Sequence, residues 1–189
     1  MKNDTFRNLF FAIVATLMGA GSGVARIGET KAETAERYGK PTFTHDSETG
    51  SFIRYLFKGK IIEVVFVDDE AKMETLYFEK VQITSHEIAE ALGKQSTEFV
   101  ISLLTNAYDF TDEKAGEVLK NRGQWVAYGR EKALLRFDEK SITNEVFAGY
   151  LMIAQNEMPE DIAAKMVKAH QSALEALKQK ERIEKSDGF

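Results

Sequence analysis

Seven residues, Ile61-Ile-Glu-Val-Val-Phe-Val67, constrain the fold more than any others. Successive side chains of a strand point to opposite faces, so Ile61, Val65 and Val67 line one side and Ile62, Val64 and Phe66 the other. Both sides are apolar, the mark of a central strand covered on both faces of its sheet. The flanking residues supply its neighbours. Phe52–Phe57 alternates and turns at Lys58-Gly59-Lys60, while Asp68-Asp69-Glu70 turns into a further strand, Met73–Val81. A three-stranded antiparallel meander is expected, with a loop over Phe43–Gly50.

A short helix precedes it. Thr30-Lys-Ala-Glu33 is a capping box, and Gly39 closes the helix after Tyr38, before Pro41 forbids continuation. The same grammar recurs at Thr84-Ser-His-Glu87, whose helix is expected to stop at Leu92-Gly93-Lys94. Residues 30–40 and 84–94 share six of eleven positions at an offset of 54. Farther on, Val126-Ala-Tyr128 to Phe137 resembles Ile53-Arg-Tyr55 to Val64 at an offset of 73. An apolar helix (Ser96–Asn106) and a polar one (Thr111–Lys120) take up the difference. Strands Gln124–Gly129, Lys132–Asp138 and Tyr150–Gln155 would then rebuild the meander.

The expected fold class is α+β: an antiparallel sheet of two helix-plus-three-strand units, 27–81 and 82–156, with helices on one face. A tandem repeat and a sheet without one fit these residues equally well. A long helix, 159–183, ends the chain, with Pro159 at its first turn and Glu160 and Asp161 at its positive end. Ile162, Met166, Ala169, Ala173 and Leu177 form its apolar stripe. Lys178–Lys185 is nearly all charged, so the last turns are expected to stand in solvent or reach a partner.

The N-terminus carries a different signal. Lys2 and Arg7 precede an apolar run from Leu9 to Ala20, then small residues to Ala25, and polar composition begins at Arg26. This is the three-part pattern of a secretory signal peptide. Residues 1–25 are read as the leader, cleaved after Ala25, and 26–189 as a single domain. The apolar run is shorter than the roughly 20 residues of a spanning helix, so no membrane span is expected once the leader is removed. The location implied is exported, periplasmic or extracellular.

The chain has no cysteine. That excludes disulfides, thiolate metal sites, a cysteine nucleophile and a lipid anchor at the cleavage point. The net charge of −5 becomes −6 without the leader, and its scattered acidity gives no expectation of a nucleic-acid partner or an anionic membrane surface.

Chemistry-bearing patterns are sparse. His86-Glu87-Ile-Ala-Glu90 approaches a metalloprotease helix but lacks its second histidine, and His45 and His170 are the remaining nitrogen donors. His45-Asp46 has no serine on a strained elbow to activate. Asp68-Asp69-Glu70 lacks the alternating acids of a calcium loop. No catalytic residue, metal ligand or cofactor is therefore expected. Trp125 and Tyr128 fall on opposite faces of one strand. One of them is expected to be exposed, and the pair is the candidate binding surface.

Ile27-Gly28-Glu-Thr30, the helix, and Tyr38-Gly39-Lys40-Pro41 ahead of a meander resemble the opening of BamE-like and β-lactamase-inhibitor-protein-like modules. Many exported proteins of unassigned role share it. The resemblance implies protein–protein binding in the bacterial envelope without catalysis. The chain departs from both families, lacking the anchoring cysteine of the first and the disulfides of the second. The expected function is thus a non-enzymatic interaction module with an unknown protein partner. The alternative is a small-ligand binder or carboxylate-based enzyme using a pocket between sheet and helices.

Overall fold

A computed structural model describes residues 27–78, 81–82, 86–137, 146–147 and 149–186. Residues 1–25, read above as a leader, Thr84 of the second capping box and the end of the strand expected at Lys132–Asp138 lie outside them. Among the described residues, nine strands and four helices follow one another: α1 (Lys31–Tyr38), β1 (Phe43–Ser47), β2 (Gly50–Phe57), β3 (Lys60–Val67), β4 (Glu70–Tyr77), β5 (Val81–Gln82), α2 (His86–Ala107), α3 (Asp112–Lys120), β6 (Val126–Tyr128), β7 (Glu131–Phe137), β8 (Val146–Phe147), β9 (Gly149–Gln155) and α4 (Glu160–Ser186).

Seven strands form one sheet in the order β1-β2-β3-β4-β9-β7-β6, and β5 pairs separately with β8. Every pairing is antiparallel. The fold is α+β, with the long C-terminal helix in place.

Tight two-residue turns set the registers. Lys58 and Gly59 join Phe57 to Lys60, and Asp68 and Asp69 join Val67 to Glu70; all four turn residues have positive φ. That backbone twist matches the twist of the flanking strands. The meanders β2-β3-β4 and β6-β7-β9 meet at their last strands, where Thr75 stands opposite Met152. Their hairpin turns equate Phe57 with Tyr128, an offset of 71 and not the 73 read from the sequence.

The two faces are covered differently. α1, α2 and α3 share one face. There Tyr38, Tyr55, Ile62, Val64 and Phe66 form one apolar cluster, while Val100, Leu104, Val118, Leu135, Leu151 and Ile153 form its neighbour. On the other face, α4 lays Ala169, Ala173 and Leu177 against Phe52, Val65, Met73 and Ala154. The two-sided apolar character of β3 follows from this sandwiching. Burying each large side chain stabilises the fold by about 1.5–3 kcal/mol.

Three expectations needed correction. Phe43–Gly50 is not a loop: Phe43–Ser47 pairs with β2 as an edge strand, its side chains alternately half-buried and exposed. Its polar composition suits an edge and conceals it from a search for apolar strands. The helix expected to stop at Gly93 continues to Ala107 and absorbs the apolar helix expected at Ser96–Asn106. An interior glycine costs about 1 kcal/mol, less than the burial of Val100 and Leu104 returns. The Thr-to-Gly spacing on which the repeat argument leaned therefore marks no second helix end. Finally, the strand expected at Met73–Val81 stops at Tyr77, and Val81 belongs to β5.

The first capping box forms in full. Glu33 N–H donates to Thr30 Oγ1 at 3.3 Å, and Thr30 N–H donates to Glu33 Oε2 at 2.8 Å. Thr30→Ala is expected to lower stability by about 1 kcal/mol, read as a shifted denaturant midpoint that Thr30→Ser restores.

Candidate functional site

Strand registers assemble a surface from residues scattered along the chain. On the face that carries α4, one row of paired positions runs Phe43, Arg54, Glu63, Thr75, Met152, Leu134. Trp125, just outside the Val126–Ala133 pair, extends this row at its far end. A parallel row runs Leu56, Ile61, Tyr77, Tyr150, Arg136, with Ile61 and Tyr77 one position beyond the Ile62–Leu76 pair. α4 covers the β1–β3 side and reaches only as far as Met73, Ala154 and Met152. Beyond that no described helix overlies the sheet.

This half, over which no helix of the described residues lies, is apolar with a cationic border. Trp125 is 43% exposed, Leu56 58% and Ile61 41%. Met152, Leu134, Tyr77 and Tyr150 are half-buried, with the two tyrosine rings 6.1 Å apart. Lys132 holds its ammonium 5.3 Å from the centre of the Trp125 ring, a cation–π contact that limits the indole's freedom. Arg136 and Ala127 are exposed.

Glu63 is the one acid in these rows, and it is buried and fully engaged. Arg54 donates to Oε1 from Nε at 2.9 Å and from Nη2 at 2.6 Å, and Tyr77 donates to Oε2 at 2.8 Å. Burial, then the Glu63 charge, raises the Tyr77 pKa well above the ordinary phenol range, so its hydroxyl remains a donor.

The strand expected at Gln124–Gly129 is shorter, Val126–Tyr128, and the candidate pair separates with Tyr128 inside it and Trp125 one residue ahead of it. Trp125 is on the open face. Tyr128 turns to the opposite one, with its ring 5.4 Å from Phe110 and packed against the α2–α3 core. Of the two, only Trp125 offers a surface.

The other chemical patterns come apart. His45 Nε2 bonds Ser172 Oγ at 2.8 Å, whereas Asp46 accepts from the Ser51 hydroxyl. His170 lies against Phe52, where burial lowers its pKa. Asp68 pairs with Lys165 at 3.7 Å beside a small polar hollow at the β1–β2 turn. The side chains of His86 and Glu90 are outside what the structure describes, and no metal-binding group of three occurs among the described residues.

One strongly perturbed carboxyl escaped the sequence reading. Glu74 on β4 is fully buried, and its Oε1 accepts from Tyr38 Oη at 3.1 Å and Tyr108 Oη at 3.0 Å. Oε2 has no partner. Burial pushes its pKa up to about 8 against the pull of the two hydroxyls. Glu29 raises it slightly further and Arg37 opposes; these two are ion-paired to each other. Sealed beneath two tyrosines, the carboxyl fastens α1 and the end of α2 to the sheet. No local pattern marks it, since Glu74 meets partners 36 and 34 residues away.

Comparison with protein-family models, curated proteins and solved structures returned no match for this chain. No helix among the described residues is long and apolar enough to cross a membrane.

Proposed function

We propose that the protein is a non-enzymatic interaction module exported to the bacterial cell envelope, and that it docks another protein on the open half of the α4 face. The observation that carries this reading is Trp125: a large aromatic, 43% exposed, steadied by Lys132 at the end of a row containing Leu134 and Met152. Tryptophan in such a place supplies much contact area with few rotatable bonds, and binding hot spots favour it. The secretory pattern at 1–25 supports export, and the resemblance to envelope binding modules supports the class of activity.

The test separates binding from folding. More than half of the Trp125 side chain is covered, so Trp125→Ala is expected to lower unfolding free energy by about 1–2 kcal/mol while the variant still folds. The same change is expected to weaken partner binding at least tenfold, measured by titration against the partner that the wild-type protein captures in its host. Undiminished binding by a folded Trp125→Ala variant would reject the docking face.

A further inference from the structure

The charge on the open face has the opposite sign to that of the chain. The protein carries −5 overall, yet the two rows and the adjoining Lys132 hold three cations, Arg54, Lys132 and Arg136, against the single acid Glu63. Glu63 is buried and claimed by Arg54 and Tyr77, so it offers no negative charge to a visitor. Elsewhere several cations are matched on the spot: Arg37 with Glu29, Lys72 with Glu70, Lys114 with Glu117 and Lys165 with Asp68. Arg136 stands exposed with no ion pair among the described residues, and Lys132 faces an indole and not a carboxylate.

We infer that the partner meets this face with an acidic protein segment whose carboxylates engage Arg136 and Lys132 while its apolar side chains cover Trp125, Leu134 and Met152. The inference rests on the docking reading above and adds the partner's chemistry. Charges at the rim of an apolar patch set partner choice and association rate more than raw affinity, so discrimination against basic segments follows. A phosphate-rich surface is the weaker fit. Polyanions are held by many cations on a positive domain, whereas this chain is acidic and the centre of the face is apolar.

Selection of random peptides on the purified protein tests this directly. The selected peptides are expected to be rich in Asp and Glu interspersed with aromatic or aliphatic residues. Their affinity should fall about tenfold between 50 and 500 mM salt. The double reversal Lys132→Glu/Arg136→Glu is expected to lose those peptides and to select Lys- and Arg-rich ones instead. Salt dependence on the unaltered protein keeps the test decisive even where the double variant folds poorly. Peptides that need Trp125 but show neither acidic excess nor salt sensitivity would overturn the inference and leave the docking face standing. Failure to select any peptide, or peptides indifferent to Trp125→Ala, would overturn both. Tighter capture by phosphatidylglycerol vesicles than by any peptide would replace the acidic protein with a membrane.

Discussion

Between pH 5 and pH 9 the protein is expected to lose several kcal/mol of stability that a Glu74→Gln variant keeps. The folded carboxyl has its pKa raised from 4.5 to about 8, chiefly by burial. In the unfolded chain it titrates at the ordinary value. Between those pH values the native state therefore holds one proton more than the unfolded state, and stability falls as pH rises. The slope inside the window is about 1.4 kcal/mol per pH unit, and it vanishes above the folded pKa. Stability from this group is thus complete below the unfolded pKa and lost as pH rises to the folded one.

Glutamine retains the carbonyl that accepts from Tyr38 and Tyr108, but it does not titrate. Its amide must be buried with no acceptor described near Oε2, which costs about 1–3 kcal/mol at pH 5. At pH 9 the same variant is expected to be the more stable of the two proteins. Denaturant midpoints of both proteins across this range decide the matter. Parallel curves would mean that the Glu74 carboxyl is not what titrates.

The second large effect is expected at Gly50. It opens β2 with φ +148°, a conformation that side chains rarely adopt. A methyl group there would run into the backbone carbonyl oxygen of Phe66 and press on Ala169 of α4 at 3.4 Å. Neither the β3 backbone nor the helix seated on it can give way cheaply. Gly50→Ala is expected to cost about 3 kcal/mol or more, combining backbone strain with overpacking. Gly39→Ala is the contrasting case. It also has positive φ, but its added methyl meets nothing within 4 Å, so about 1 kcal/mol is expected. Equal losses at the two sites would mean that strain alone, and not the close approach to Phe66, governs Gly50.

Much of this fold was legible because its strongest signals are local. The two-sided apolar run of β3, the turn residues that fix its hairpins, the Thr30 capping box and the Pro159 start of α4 all act within a few residues. The signals that misled were local as well. Gly93 looks like a helix end and is overruled by the packing of Val100 and Leu104 farther along the same helix. The polar edge strand β1 carries no apolar alternation to find, and only pairing with β2 reveals it.

The site was half legible. Strand periodicity placed Trp125 and Tyr128 on opposite faces. Which of them meets solvent depends on strand order and on which face each helix takes, both of which are long-range. The same holds for the rows on the open face, where Arg54, Thr75, Met152 and Leu134 become neighbours only through cross-strand pairing.

The central claim is that the uncovered half of the α4 face is where a partner protein docks. Site-specific photocrosslinking in the native host tests it most directly. A benzophenone side chain is placed at exposed Ala127 on that face, and for comparison at exposed Glu113 on α3, on the opposite side of the sheet. The account predicts a discrete adduct from position 127, its absence from position 113, and its loss when Trp125→Ala is added. Adducts no more frequent at 127 than at 113, or indifferent to Trp125, would contradict it.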